Sequence, residues 1–307
     1  MTLALLFPGQ GSQHVGMGRE LAEELPVARR TFEEADDVLG FSLGRLMWEG
    51  PEEELTETRN AQPAILTHSV AVHRVVRERL GPPACAAGHS LGEFSAWVAA
   101  GTLSFRDALE AVRRRGELMS AAGRERPGTM AAVLGLDDAE VEAVCEAVEA
   151  GICVPANFNS PGQVVISGDR EGVARGMELA SEAGARRVVE LNVSGAFHSP
   201  LMEPAVEGLT AKLREVAMSD PEFPVVSNVS AAEPVEDAEE ARTLLIRQLT
   251  HPVRWSSSIS TMRETGVDRF VELGPGRVLC GLNRRNAPRG TPCDSLEDPT
   301  GIASWEA

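Results

Sequence analysis

Leu3-Ala4-Leu5-Leu6-Phe7 is apolar at every position, the pattern of a strand buried on both faces. It stops at Pro8-Gly9-Gln10-Gly11-Ser12-Gln13, and a helical spacing follows through about Leu25. Thr31–Leu39 and Gln62–Leu80 repeat apolar residues at the three-to-four period of a helix. The second carries Ile65, Leu66, Val70, Val72, Val75 and Val76, and Gly81-Pro82-Pro83 ends it. The small apolar stretch Pro82–Ala87 reads as another strand. Glu93–Gly101 reads as a helix closed by glycine, and Arg106–Ala122 as a further helix. The order β-α-α-β-α predicts a parallel sheet covered by helices.

Near Gly123–Pro127 the texture changes. Met130–Leu134, Cys153–Asn157, Val164–Ser167 and Arg187–Leu191 have strand patterns. Asp137–Ala150 and Arg170–Ala183 have helical ones, with Asp137 or Asp138 at the N-cap of the first. This β-α-β-β-α-β order is that of a ferredoxin-like unit. The chain therefore divides into a first part of a large α/β subdomain (1–125), an inserted small subdomain (126–192) and the second part of the large one (193–286). The second part has a strand at Val225-Val226 and a final βα unit at Arg269–Arg285. Proline, glycine and acidic residues over 287–307 predict a poorly ordered tail.

Composition narrows the class. With 43% hydrophobic residues and mixed charge, the chain reads as globular. The first apolar run is too short for a signal peptide and lacks a basic leader, and no segment reaches the length of a membrane span. The five cysteines are scattered and show no C-x-x-C spacing, which predicts reduced thiols in a cytoplasm and no zinc site. A net charge of −17 argues against nucleic acid or an anionic membrane as partner.

Gly88-His89-Ser90-Leu91-Gly92 carries the chemistry. It fits the G-x-S-x-G pattern of a nucleophile elbow, between a predicted strand and a predicted helix as such an elbow requires. Ser90 would project its Oγ from the turn over a helix N-terminus that favours negative charge. A serine nucleophile needs a base. Of the six histidines, His14, His68, His73 and His251 lie on or beside helical patterns, and His89 should point away from the serine. His198, in Gly195-Ala196-Phe197-His198-Ser199-Pro200, sits on a loop where the small subdomain ends. Among Arg113-Arg114-Arg115, side chains about 100° apart let one turn inward to offer a guanidinium fork to a carboxylate. The turn at Gly9–Gln13 lacks the spacing of a phosphate loop and reads as a source of oxyanion-hole amides.

Several segments occur together in order: Phe7–Gln13, Gly88–Glu93, Arg115-Gly116, Asn157–Gln163, Gly195–Ser199 and Gly274-Pro275-Gly276. The ordered set resembles the malonyl-CoA:acyl carrier protein transacylases of bacterial fatty acid synthesis, a family shared with polyketide synthase acyltransferase domains. The resemblance runs from Leu3 to Arg285. It implies an α/β-hydrolase-like large subdomain with a ferredoxin-like insertion. It further implies Ser90 as nucleophile, His198 as base, the Gln248 carbonyl orienting that base, and the amides of Gln10 and Leu91 as oxyanion hole. Arg115 would hold the malonyl carboxylate, with Phe197, His89 and Asn159 also at the substrate. No metal or cofactor is implied, because coenzyme A and phosphopantetheine arrive with the substrates. The partners would be malonyl-CoA and an acyl carrier protein, and the chain would act as a monomer.

Two other readings stand beside this one. A stand-alone acyltransferase serving a polyketide synthase has the same chemistry and a different carrier. A serine esterase would place an acid between serine and histidine in chain order, where Asp137, Asp138 and Asp169 fall in the insertion, poorly placed to buttress His198. An acidic carrier approaching an acidic chain needs a local basic patch. Arg113, Arg114, Arg186, Arg187, Arg284 and Arg285 are the candidates, the last two pairs foremost.

Overall fold

The computed structural model describes residues 2–306. Ten strands run in chain order: β1 (Leu3–Phe7), β2 (Cys85–Gly88), β3 (Gly128–Leu134), β4 (Cys153–Ser160), β5 (Gln163–Asp169), β6 (Arg187–Glu190), β7 (Val225–Val226), β8 (Pro234–Val235), β9 (Arg269–Leu273) and β10 (Cys293–Leu296). Six form one sheet in the order β10-β9-β1-β2-β7-β8, parallel except for the β7–β8 pair. Alternation along β1 explains its fully apolar sequence. Leu5 and Phe7 enter the main core, while Ala4 and Leu6 enter a second cluster with Trp255, Ile259, Met262 and Phe270. Both sheet faces are thus covered by helices, as parallel sheets require.

The helix expected over 62–80 spans Thr58–Leu80 and includes Pro63 near its start. Proline removes a donor there, so the Arg59 carbonyl one turn back loses its helical partner. Arg113, on the neighbouring helix Phe105–Glu125, donates to that carbonyl instead (3.0 Å). The helices Leu43–Glu49, Glu52–Thr56, Ala238–Arg247 and Trp255–Glu264 are not among the expected elements; they are short and flanked by ambiguous patterns.

The small subdomain is a four-stranded antiparallel sheet in the order β4-β5-β3-β6, the ferredoxin-like arrangement. Asp137 N-caps its first helix in a capping box with Glu140, and Asp169 caps the second. The subdomain has its own core around Val133, Val141, Phe158 and Ile166. Two backbone bonds, Phe158 N–H to Val253 O (2.9 Å) and Val253 N–H to Ala156 O (2.8 Å), tie β4 to the large subdomain.

Two expectations are corrected. The segment after Asn286 is ordered: β10 extends the large sheet beside β9, and the helix Pro299–Ser304 follows, capped by Asp298. Its anchors are Leu296, Ile302 and Trp305, all buried, with the guanidinium groups of Arg79 and Arg269 over the Trp305 ring. These apolar residues are isolated in a polar stretch, so no periodicity announces them. The second correction concerns the thiols. Cys280 and Cys293 form a disulfide between the helix Val278–Asn286 and β10, leaving Cys85, Cys145 and Cys153 free and buried. The fold of that segment, not residue spacing, brings the pair together. Among the described residues no helix is long and apolar enough to cross a membrane.

Trp305→Ala should lower unfolding free energy by about 3 kcal/mol, the usual cost of truncating a buried tryptophan. A urea unfolding curve that keeps the wild-type midpoint would show that the C-terminal segment does not stabilise the domain.

Candidate active site

β2 ends at Gly88 and the helix Gly92–Ala99 begins four residues later, so the chain must reverse within Gly88–Gly92. Ser90 takes φ +50°, in the left-handed region that non-glycine residues avoid. Three glycines make the reversal possible. A Cβ on Gly88 would overlap the Gly92 carbonyl, one on Gly92 would overlap the Phe7 carbonyl, and one on Gly9 would overlap the His89 carbonyl. The turn after β1 is therefore pressed against the elbow. The Gln10 and Leu91 amides, one from each segment, have no acceptor among the described residues. Asn228, which follows β7, clamps the elbow: its side chain accepts from Ser90 N–H (2.7 Å) and donates to Gly88 O (2.7 Å).

His198 lies 2.8 Å from Ser90 Oγ through Nε2. Its Nδ1 faces the carbonyls of Gln248 (2.9 Å) and His251 (3.2 Å). Carbonyls only accept, so Nδ1 carries the hydrogen and Nε2 is left as acceptor for the serine hydroxyl. Like Ser90, His198 has a positive φ, of +56°. Burial lowers its pKa to about 3, assisted by the charge of Arg115 and opposed by the bond to the Gln248 carbonyl.

Of the three successive arginines, Arg115 turns inward and is 1% exposed, while Arg113 and Arg114 pair with Glu117. Gly116 lets the two helices touch here; a Cβ on it would stand 2.7 Å from the Thr58 carbonyl oxygen. Arg115 donates to Gln62 Oε1 (2.8 Å), Gln248 Oε1 (2.8 Å) and Ser90 Oγ (3.2 Å), and its Nε–H has no partner among the described residues. Burial lowers its pKa to about 10, with the nearby Glu93 acting the other way, so it remains a cation at neutral pH.

His89 points away from the serine, bonds Asn159 Oδ1 (2.8 Å) and packs on Trp255 with ring centres 5.6 Å apart. Asn286 donates to the Asn159 carbonyl (2.8 Å), tying the end of the helix Val278–Asn286 to this wall. Phe197 is buried in the main core beside His198. Arg284-Arg285 is exposed at that helix end. Arg186-Arg187 is exposed at β6, the edge of the small sheet opposite β4. Among the described residues no cluster could hold a metal ion.

The sequence reading missed Gln62, Glu93 and Asn228. Gln62, a polar residue within an apolar helical pattern, and Glu93, on the apolar elbow helix, left faint signals. Asn228 left none, because only the pairing of β7 with β2 brings it to Ser90.

A family model for the acyl transferase domain matches residues 4–286. The chain belongs to this family. It is 50% identical over 302 residues to the malonyl CoA-acyl carrier protein transacylase of Bacillus subtilis, covering 98% of this chain and 95% of that one. Among solved structures it is similar to the FabD transacylase of Xanthomonas oryzae, with TM-score 0.94, 43% identity and full coverage of both chains. It is equally similar, at TM-score 0.94 and 44% identity over 99% of this chain and 98% of the other, to a malonyl-transacylase in complex with its type II polyketide synthase acyl carrier protein.

The buried, neutral His198 sets a pH response. Its folded-state pKa lies below the usual 6.5, so between those values the unfolded chain binds a proton that the folded chain does not. Its contribution to stability is complete above pH 6.5 and declines as pH falls toward 3. Ring NMR of His198 should show the neutral form throughout a titration from pH 7 to 4.5. In Arg115→Ala the midpoint should move upward, because a repelling charge is gone. A wild-type midpoint near 6.5 would contradict this electrostatic picture.

Proposed function

We propose that this chain transfers a malonyl group from malonyl-CoA to the phosphopantetheine thiol of an acyl carrier protein, through an ester on Ser90. The observation that carries the proposal is the buried Arg115 cation 3.2 Å from the Ser90 hydroxyl, with no direct ion pair to a carboxylate among the described residues. A simple esterase has no use for such a group.

In this mechanism His198 takes the Ser90 proton as Oγ attacks the thioester carbonyl. The Gln10 and Leu91 amides receive the oxyanion; losing one such donor typically costs ~10²–10³ in rate. The tetrahedral intermediate collapses, coenzyme A leaves with the proton from His198, and malonyl-Ser90 remains. The carrier thiol enters, gives its proton to His198 and reverses the sequence, regenerating Ser90. Three N–H bonds of Arg115 go to Gln62, Gln248 and Ser90. In the proposed reaction the guanidinium, already within reach of Ser90, attracts the malonyl carboxylate by its charge. A bound carboxylate also offsets the charge that depresses His198, so the contact that selects the acyl group makes the base stronger. The steps call on no cofactor, and the proposed setting is the cytoplasm. Service to a polyketide carrier is the second reading, favoured by the likeness to the transacylase solved with such a carrier.

Intact mass after mixing with malonyl-CoA should rise by one malonyl group, and Ser90→Ala should abolish the rise. Arg115→Ala should weaken malonyl loading while sparing acetyl loading. Labelling that persists in Ser90→Ala would place the nucleophile elsewhere.

For the carrier, charge reversal at Arg186, Arg187, Arg284 and Arg285 should raise its Michaelis constant and leave loading by malonyl-CoA unchanged. Carrier kinetics that do not respond would move docking to another face.

A further inference from the structure

Gln248 stands at the centre of the site with main chain and side chain both engaged. Its carbonyl orients His198, and its Oε1 accepts from Arg115. Its Nε2 donates to Ser90 O (3.0 Å) and to Glu93 Oε2 (2.7 Å). A carboxamide has nearly the same shape either way round, so its neighbours decide which end is oxygen. Here two acceptors, Ser90 O and Glu93 Oε2, draw the NH₂ end. The oxygen is left facing the guanidinium; the reverse orientation would set donors against donors. Glu93 is fully buried three residues beyond Ser90, and the same Oε2 also takes the Asn228 N–H (3.1 Å). Burial pushes its carboxyl up from the usual range, and the bonds from Asn228 and Gln248 pull it the other way.

We propose that Glu93 is a positioning residue for acyl-group selection. Acting through Gln248, it holds the Arg115 guanidinium against Ser90 and so sets the preference for a carboxylated acyl group. The proposal rests on the malonyl-transfer reading above.

The test compares rates of Ser90 loading from malonyl-CoA and acetyl-CoA by rapid quench and intact mass, reading the ratio of the two. Loss of Glu93 as an acceptor in Glu93→Ala should lower the malonyl-to-acetyl ratio about tenfold, the effect of losing one hydrogen bond that positions a charged group. Glu93→Gln keeps a carbonyl that can accept from Gln248 and Asn228, and should restore most of the ratio. Glu93→Ala strands two buried donors, so Gln248→Met provides a second route: it keeps the carbonyl that faces His198, removes the carboxamide and should lower the ratio similarly. The double variant should be no less selective than Gln248→Met alone. A merely structural Glu93 would slow both acyl groups by one factor, and that result overturns the proposal. So does a Gln variant as unselective as the Ala variant, or an additive double variant. Wild-type protein that acquires no malonyl group overturns the functional reading itself and this proposal with it.

Discussion

The site depends on backbone crowding where β1, β2 and the helix Gly92–Ala99 converge. At Gly9, Gly88 and Gly92 the chain passes so close to another carbonyl that no side chain fits. This contact forces Ser90 into the left-handed region, at a cost of about 1–3 kcal/mol. The Asn228 side chain accepts from the Ser90 N–H and donates to the Gly88 carbonyl, and each bond contributes about 1 kcal/mol. Because the turn after β1 is pinned to the elbow, the unbonded amides of Gln10 and Leu91 belong to two segments in backbone contact. The strain at Ser90 and the close approach of these segments are thus consequences of one packing constraint, on which the proposed oxyanion site rests.

Electrostatics supplies the second layer. An unpaired buried cation is costly, and Arg115 is held by two carboxamide oxygens in place of a carboxylate. Those dipoles lower the cost of burial without neutralising the charge, which leaves the guanidinium available to an anionic group. Burial, assisted by the same charge, keeps His198 neutral and therefore able to accept a proton. Gln248 links the two, since its main chain serves the imidazole and its side chain the guanidinium. The orientations of His198 and of the Arg115 guanidinium are consequently coupled through a single residue.

The small subdomain and the C-terminal segment support this arrangement from outside. β4 brings Asn159 to His89, and its backbone bonds to Val253 hold it there. The helix Val278–Asn286 reaches the same wall through Asn286, and the Cys280–Cys293 disulfide fastens that helix to β10. A segment whose composition looks like a loose tail is part of the sheet that carries the elbow helix.

Local chemistry made much of this protein legible in one dimension. The unbroken apolar run of β1 has to be a buried strand, the G-x-S-x-G turn demands a strand before it and a helix after it, and the β-α-β-β-α-β order identifies the insertion. Side chains about 100° apart on a helix let one of three consecutive arginines face inward, and the structure shows that it is Arg115. Ser90, His198 and Arg115 were readable because each lies in a segment with its own local pattern, and the family resemblance added their roles. Tertiary structure decided the rest. Asn228 reaches Ser90 only through the pairing of β7 with β2, Glu93 meets Gln248 across 155 positions of sequence, and Cys293 meets Cys280 only when β10 joins the sheet. Contacts of that kind arise from strand order and helix packing, which leave no periodic trace at the residues they bring together.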